Sequence, residues 1–134
     1  MAGCGGGGSS NESGKSEFVA RANAICAEGN REGQQIQSRL FPESGKISGV
    51  QVQEFFTQVL PVFKRTDEKL AALTAPSGDE QEVAALLAAA RRGESGVEEA
   101  AKTPVRAKAA LQKDPFAEFS AQAKAYGLTT CAGG

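Results

Sequence analysis

Apolar residues recur at spacings of three and four along most of this chain, the signature of helices with one buried stripe. The first run begins at Ser16. Phe18, Ala22, Ile25/Cys26, Gly29, Gly33, Ile36 and Leu40 fall on one face. Ser13 or Ser16 can cap its start. Gly29 and Gly33 lie one turn apart on that face and weaken the helix, which implies either close approach of a neighbour or a frayed segment. The segment Phe41-Pro42-Glu43-Ser44-Gly45 ends the run with turn residues.

A second run, from about Ser48 to Leu73, carries Val52, Phe55/Phe56, Val59, Val62/Phe63, Leu70 and Leu73. Pro61 falls inside it, removes one backbone hydrogen bond and predicts a kink. Ala75-Pro76-Ser77-Gly78 stops it. Asp79 is placed to cap a third helix, with Glu82 as its capping-box partner. Val83, Leu86/Leu87 and Ala90 face inward there, and Gly93 to Gly96 predicts a break. Glu98 to Leu111 continues as an alanine-rich helix interrupted at Pro104. Asp114-Pro115 predicts an N-cap with proline at the first helical position, opening a helix with Phe116, Phe119, Ala123 and Tyr126 inward. Tyr126-Gly127-Leu128 predicts a glycine C-cap, and Cys131 follows. No stretch alternates with period two. The expected fold is all-α, an antiparallel four-helix bundle over residues 16–131 with its second helix kinked, followed by a short tail at 132–134.

Residues 1–15 have a different character. Residues 5–14 contain no apolar side chain and predict a flexible Gly/Ser tether spanning about 20 Å. Just before it stands Met1-Ala2-Gly3-Cys4. Small residues running into a cysteine match the processing site of a bacterial lipoprotein, in which that cysteine becomes N-terminal and lipidated. No charged or apolar leader segment precedes Cys4, and Met1 stands where an aliphatic residue belongs. The expectation is a signal peptide already removed. A diacylglyceryl group on Cys4 would supply the two chains that stable anchoring requires.

Charge and composition narrow the function. Fifteen basic and sixteen acidic residues are interspersed, so nothing marks a nucleic-acid partner. The chain has no histidine, which excludes Ser-His-Asp and Cys-His nucleophilic arrangements within it. No metal site or cofactor is expected. With Cys4 lipidated, Cys26 and Cys131 remain, either as a disulfide in an oxidising compartment or as two separately buried thiols.

The remaining motifs are weak. Ser13-Gly14-Lys15-Ser16 ends like a phosphate-binding loop, but the glycine five positions before Gly14 is missing and no strand precedes it. Glu-Ser-Gly-Lys occurs at 12–15 and 43–46, ahead of two helices, where capping explains it. Glu28/Glu32 and Glu94/Glu98 are spaced one turn apart, as paired carboxylates would be, without a third ligand nearby. Arg91, Arg92, Arg106, Lys108 and Lys113 read as solvated charges diluted by Glu94, Glu98 and Glu99. Phe55, Phe56, Val59 and Phe63 cover more than one face of the second helix. Core packing alone is the leading reading of this surface, and the lining of a small ligand pocket opened by a bend at Pro61 is the alternative.

Taken together, Cys4 with its Gly/Ser linker, Phe18-Val19-Ala20-Arg21-Ala22-Asn23-Ala24-Ile25-Cys26, Leu70-Ala71-Ala72-Leu73-Thr74-Ala75-Pro76 and Tyr126-Gly127-Leu128-Thr129-Thr130-Cys131 form a set. In these the chain resembles the small helical predicted lipoproteins of high-GC Gram-positive bacteria. The resemblance implies export, a membrane anchor and a disulfide between Cys26 and Cys131. It implies no activity, and no catalytic residue carries over. The leading expectation is a non-enzymatic, lipid-anchored extracytoplasmic domain that binds an envelope protein or a small ligand. The alternatives are a carboxylate-dependent envelope enzyme or accessory using Glu28 and Glu32, or a cytosolic helical interaction protein.

Overall fold

The computed structural model describes residues 6–41 and 45–133, with side chains from Gly14 onward. Cys4, the expected lipid site, and Pro42–Ser44 of the first turn lie outside the described residues. The fold is all-helical, with no strand among the described residues. Its helices are α1 (Gly6–Leu40), α2 (Gly49–Ala71), α3 (Glu80–Ala100), α4 (Pro104–Gln112) and α5 (Ala117–Tyr126).

α1 begins at Gly6, so it runs back through the expected tether, and neither Ser13 nor Ser16 starts it. Once a helix is nucleated, each added residue contributes a hydrogen bond, and the packed part after Ser16 supplies the nucleus. Phe18, Ala22, Cys26 and Ile36 are buried on the stripe that the spacing predicts. Gly29 and Gly33 mark close approach. A Cβ at Gly29 would sit 2.6 Å from the Thr66 hydroxyl of α2, and one at Gly33 would just touch Val59.

α2 opens on a capping box. The Ser48 hydroxyl accepts from the Gln51 backbone N–H, and the Gln51 side chain accepts from the Ser48 N–H. The helix continues through Pro61, which is exposed. The ring therefore stands on the solvent side, and the hydrogen bond it removes is the local cause of the expected kink.

α3 is longer than the sequence suggests. Gly93 and Gly96 do not break it; they make room for the segment before α5. A Cβ at Gly96 would come within 2.8 Å of Pro115, and one at Gly93 would collide with the Phe116 ring. The break comes instead at residues 101–103. Thr103 caps α4, accepting from the Arg106 N–H at 3.0 Å, with Pro104 at its start. Asp79 precedes α3 without capping it, because its carboxylate accepts a 2.6 Å hydrogen bond from the Tyr126 hydroxyl. Asp114 likewise stands before a turn, accepting from the Phe116 N–H at 2.9 Å, and α5 starts only at Ala117. The expected glycine cap is present. Gly127 is left-handed (φ +102°), the Leu128 N–H reaches the Ala123 carbonyl, and Leu128 is buried.

α2 packs on α1, α3 and α4, and α3 also packs on α4 and α5. Two apolar clusters result. One joins Phe18, Ala22 and Cys26 of α1 to Leu70, Val83, Leu86, Phe119, Ala123 and Tyr126. The other joins Ile36 to Val52, Phe56, Val59, Val62, Val97 and Ala107. Phe116 packs against both.

Candidate functional site

Cys26 and Cys131 form a disulfide with Cα atoms 5.1 Å apart. Periodicity turns Cys26 into the core, and the Gly127 cap turns the tail back toward α1. Two asparagines of α1 hold that tail. Asn23 Oδ1 accepts from the Thr130 N–H, and Asn30 Nδ2 donates to the Thr130 carbonyl, both at 3.2 Å.

A cavity of about 180 Å³ opens beside the disulfide, where the two clusters meet. α1 contributes Cys26, Gly29 and Asn30 to its lining. α2 contributes Phe63, Thr66, Asp67 and Leu70. Phe116, Phe119, Ser120, Cys131 and Gly133 complete it. The wall is mainly aromatic and aliphatic. Phe63 and Phe116 stand with ring centroids 4.6 Å apart, and Phe116 and Phe119 at 6.3 Å. Gly29 keeps α1 close to Thr66, and Gly93 lets Phe116 lie against α3 and reach the cavity.

Of the four residues expected to line a pocket, only Phe63 does so. Phe56 and Val59 are buried in the second cluster, and Phe55 packs between Phe41 and Phe56 with centroids 5.5 and 5.6 Å away. The reason is the side on which Pro61 stands. Its ring faces solvent, so the bend opens nothing inward, and the space appears one to two turns further along α2.

Asp67 is the chemically distinctive residue of the wall. Its Oδ2 is buried and accepts no hydrogen bond from any described residue. Burial raises its pKa from the ordinary aspartate value of 3.8 to about 8. The adjoining Glu94 carboxyl of α3 adds to the rise by hydrogen bonding and repulsion, and Arg91 opposes it. The rise favours the neutral, protonated form of Asp67 at neutral pH. The sequence carries a signal for this residue that the first reading missed. Asp67 lies between Phe63 and Leu70 at helical spacing, which places an acid on the buried stripe.

The other acidic pairs hold the helices together. Glu28 meets Lys69 at 2.9 Å, and that ammonium lowers the Glu28 pKa. Glu32 pairs with Arg65. Glu98 meets Lys64 at 3.5 Å, and Arg92 meets Glu118 at 2.9 Å. Glu99 serves both Lys102 and Arg106, and the Lys102 ammonium lowers its pKa. Exposed pairs of this kind contribute little each, and they leave Glu28 and Glu32 facing cations rather than a concave site.

Compared with family models, curated proteins and solved structures, the chain matches none. The geometry of the cavity and the disulfide therefore carries the functional argument.

No helix among the described residues is long and apolar enough to cross a membrane. Among the same residues no three acidic or sulfur side chains cluster as metal ligands would.

Proposed function

We propose that this protein is an exported, lipid-anchored helical domain that holds a small, mainly apolar molecule at the outer face of a cell membrane. One observation carries the binding reading: the cavity between α1, α2 and α5, walled by Phe63, Leu70, Phe116 and Phe119. Its volume of about 180 Å³ is close to the roughly 150 Å³ at which an apolar cavity accepts a benzene-sized guest. Larger ligand sites run to about 300–1,000 Å³, so the fitting guest is a single ring or a short branched chain.

The disulfide supports export, because such bonds persist in oxidising compartments. The anchor in this reading is a diacylglyceryl group on Cys4. The glycine-rich first turns of α1 cost about 1 kcal/mol per glycine in helix propensity, so fraying there lets them act as the tether. Short connections imply antiparallel neighbours, and the fold is read as a bundle of α1, α2, α3 and α5 with α4 packed on α2 and α3.

Two measurements test this function. Intact mass of the protein from its source cells should show a lipid increment on a chain starting at Cys4 and a two-hydrogen gain on reduction. An unlipidated chain would sink the anchor. Toluene titrated into the protein should shift the NMR signals of Leu70 and the three cavity phenylalanines, and Ser120→Leu, which fills the space, should abolish the shifts. Unperturbed signals at millimolar toluene would sink the binding reading.

A further inference from the structure

We infer that the cavity selects a ring or short hydrocarbon bearing a protonated amine, with Asp67 as the residue that receives the ammonium. The inference rests on the binding reading above and adds the chemical class of the guest.

Asp67 is the ionisable residue of the described wall, and no lysine or arginine lines it. Behind it stands Glu94. The described wall thus presents one carboxyl, that of Asp67, to its occupant without a facing cation. A carboxylate- or phosphate-bearing guest, such as a fatty acid, would find no cation among the described lining residues to neutralise it. A neutral hydrocarbon would fill the space but offer the Asp67 carboxyl no hydrogen bond. An ammonium answers both features. It donates to the Asp67 carboxyl and supplies the positive charge that this carboxyl otherwise obtains from a proton, which leaves to solvent.

The aromatic side chains point the same way. Phe63, Phe116 and Phe119 surround the space next to Asp67, with Phe63 and Phe116 only 4.6 Å apart. Ring faces attract a cation held nearby and also pack against its hydrocarbon part. Arg91, the cation that opposes the rise at Asp67, belongs to α3 and does not line the cavity. It leaves the carboxyl free to meet a guest from the cavity side.

The test compares three guests of one size in the full chain with its disulfide intact: benzylammonium, toluene and benzoate, titrated at pH 7 by NMR. Benzylammonium should bind about tenfold or more tightly than toluene, in line with a charge-assisted hydrogen bond formed away from bulk water, and benzoate should bind weakest. Asp67→Asn should remove the preference for benzylammonium, and a cooperative melt at or above the wild-type temperature shows that the variant is folded. Equal affinities for benzylammonium and toluene, or a preference that survives Asp67→Asn, would overturn the ammonium assignment and leave the cavity reading standing. Failure of both rings to bind would overturn the cavity reading itself.

Discussion

Breaking the Cys26–Cys131 bond is expected to lower the melting temperature by about 10–20 °C and to abolish guest binding. The two cysteines are 105 positions apart, so the bond closes a loop that spans nearly the whole folded chain. In the chain-entropy account a loop of that length restricts the unfolded ensemble by about 4–5 kcal/mol, a large part of the stability of a domain this size. The bond also has a local task. Without it the tail from Gly127 to Gly133 is held by the buried Leu128 and by the two hydrogen bonds that Thr130 makes, donating to Asn23 and accepting from Asn30. Cys131 and Gly133 are part of the cavity wall, so a released tail opens that wall. The double variant Cys26→Ala/Cys131→Ala should keep its helical circular dichroism at 20 °C, melt early and give no toluene-induced shifts. Melting within about 3 °C of the oxidised protein would show that the bond constrains nothing that the helices do not already fix.

Much of the helical content was legible because each long helix keeps one stripe at strict spacing. Phe18, Ala22 and Cys26 fell where the period puts them, and the Gly127 cap followed from a short, local pattern. The misplaced boundaries share a cause. Gly93 and Gly96 look like a break when read along the chain, yet their lack of side chains answers Phe116 and Pro115, which arrive from later in sequence. Asp79 looks like a cap until Tyr126 claims its carboxylate. Burial, together with that contact, raises the Tyr126 pKa, so the phenol stays a donor at any ordinary pH. Local rules name what a residue is able to do, and the tertiary partner decides which of those options is used.

The candidate site was legible only at its ends. The disulfide pairing followed from counting cysteines and from the resemblance. Core packing was the leading expectation beside Pro61 and a pocket the alternative; Phe56 and Val59 are core, and the cavity lies further along α2. Its walls come from three segments distant in sequence, and a void between two clusters leaves no periodic mark. Asp67 was the exception. An acid at a buried helical position, in the charged run Lys64-Arg65-Thr66-Asp67-Glu68-Lys69, is visible once the phase of α2 is drawn from Phe63 to Leu70.

Asp67→Asn should make the protein more stable at neutral and alkaline pH and flatten its dependence on pH. In the unfolded chain Asp67 loses its proton near 3.8, whereas in the folded protein it holds it to about 8. Between those values the native state binds the extra proton, so stability falls as pH rises from about 4 to about 8 and then levels off. Asparagine carries no proton to lose, and its amide can still donate to Glu94. The gain should therefore be negligible near pH 4 and fully developed at pH 8. A displacement of this size would exceed 5 kcal/mol in a dry interior, at about 1.4 kcal/mol per unit. Asp67 is only partly buried, and water screens it, so about 1–2 kcal/mol is the expected gain at pH 7. That corresponds to a rise of roughly 4–8 °C in melting temperature. The groups that act on Asp67 are Glu94 and Arg91 of α3, while Asn30 of α1 and Ser120 of α5 share the cavity wall with it. Because Glu94→Gln leaves the cost of burying the Asp67 carboxylate in place, it should recover less stability than Asp67→Asn. Thermal melts of the three proteins from pH 4 to pH 9 decide the matter. Parallel curves for wild type and Asp67→Asn would mean that Asp67 is ionised in the native fold.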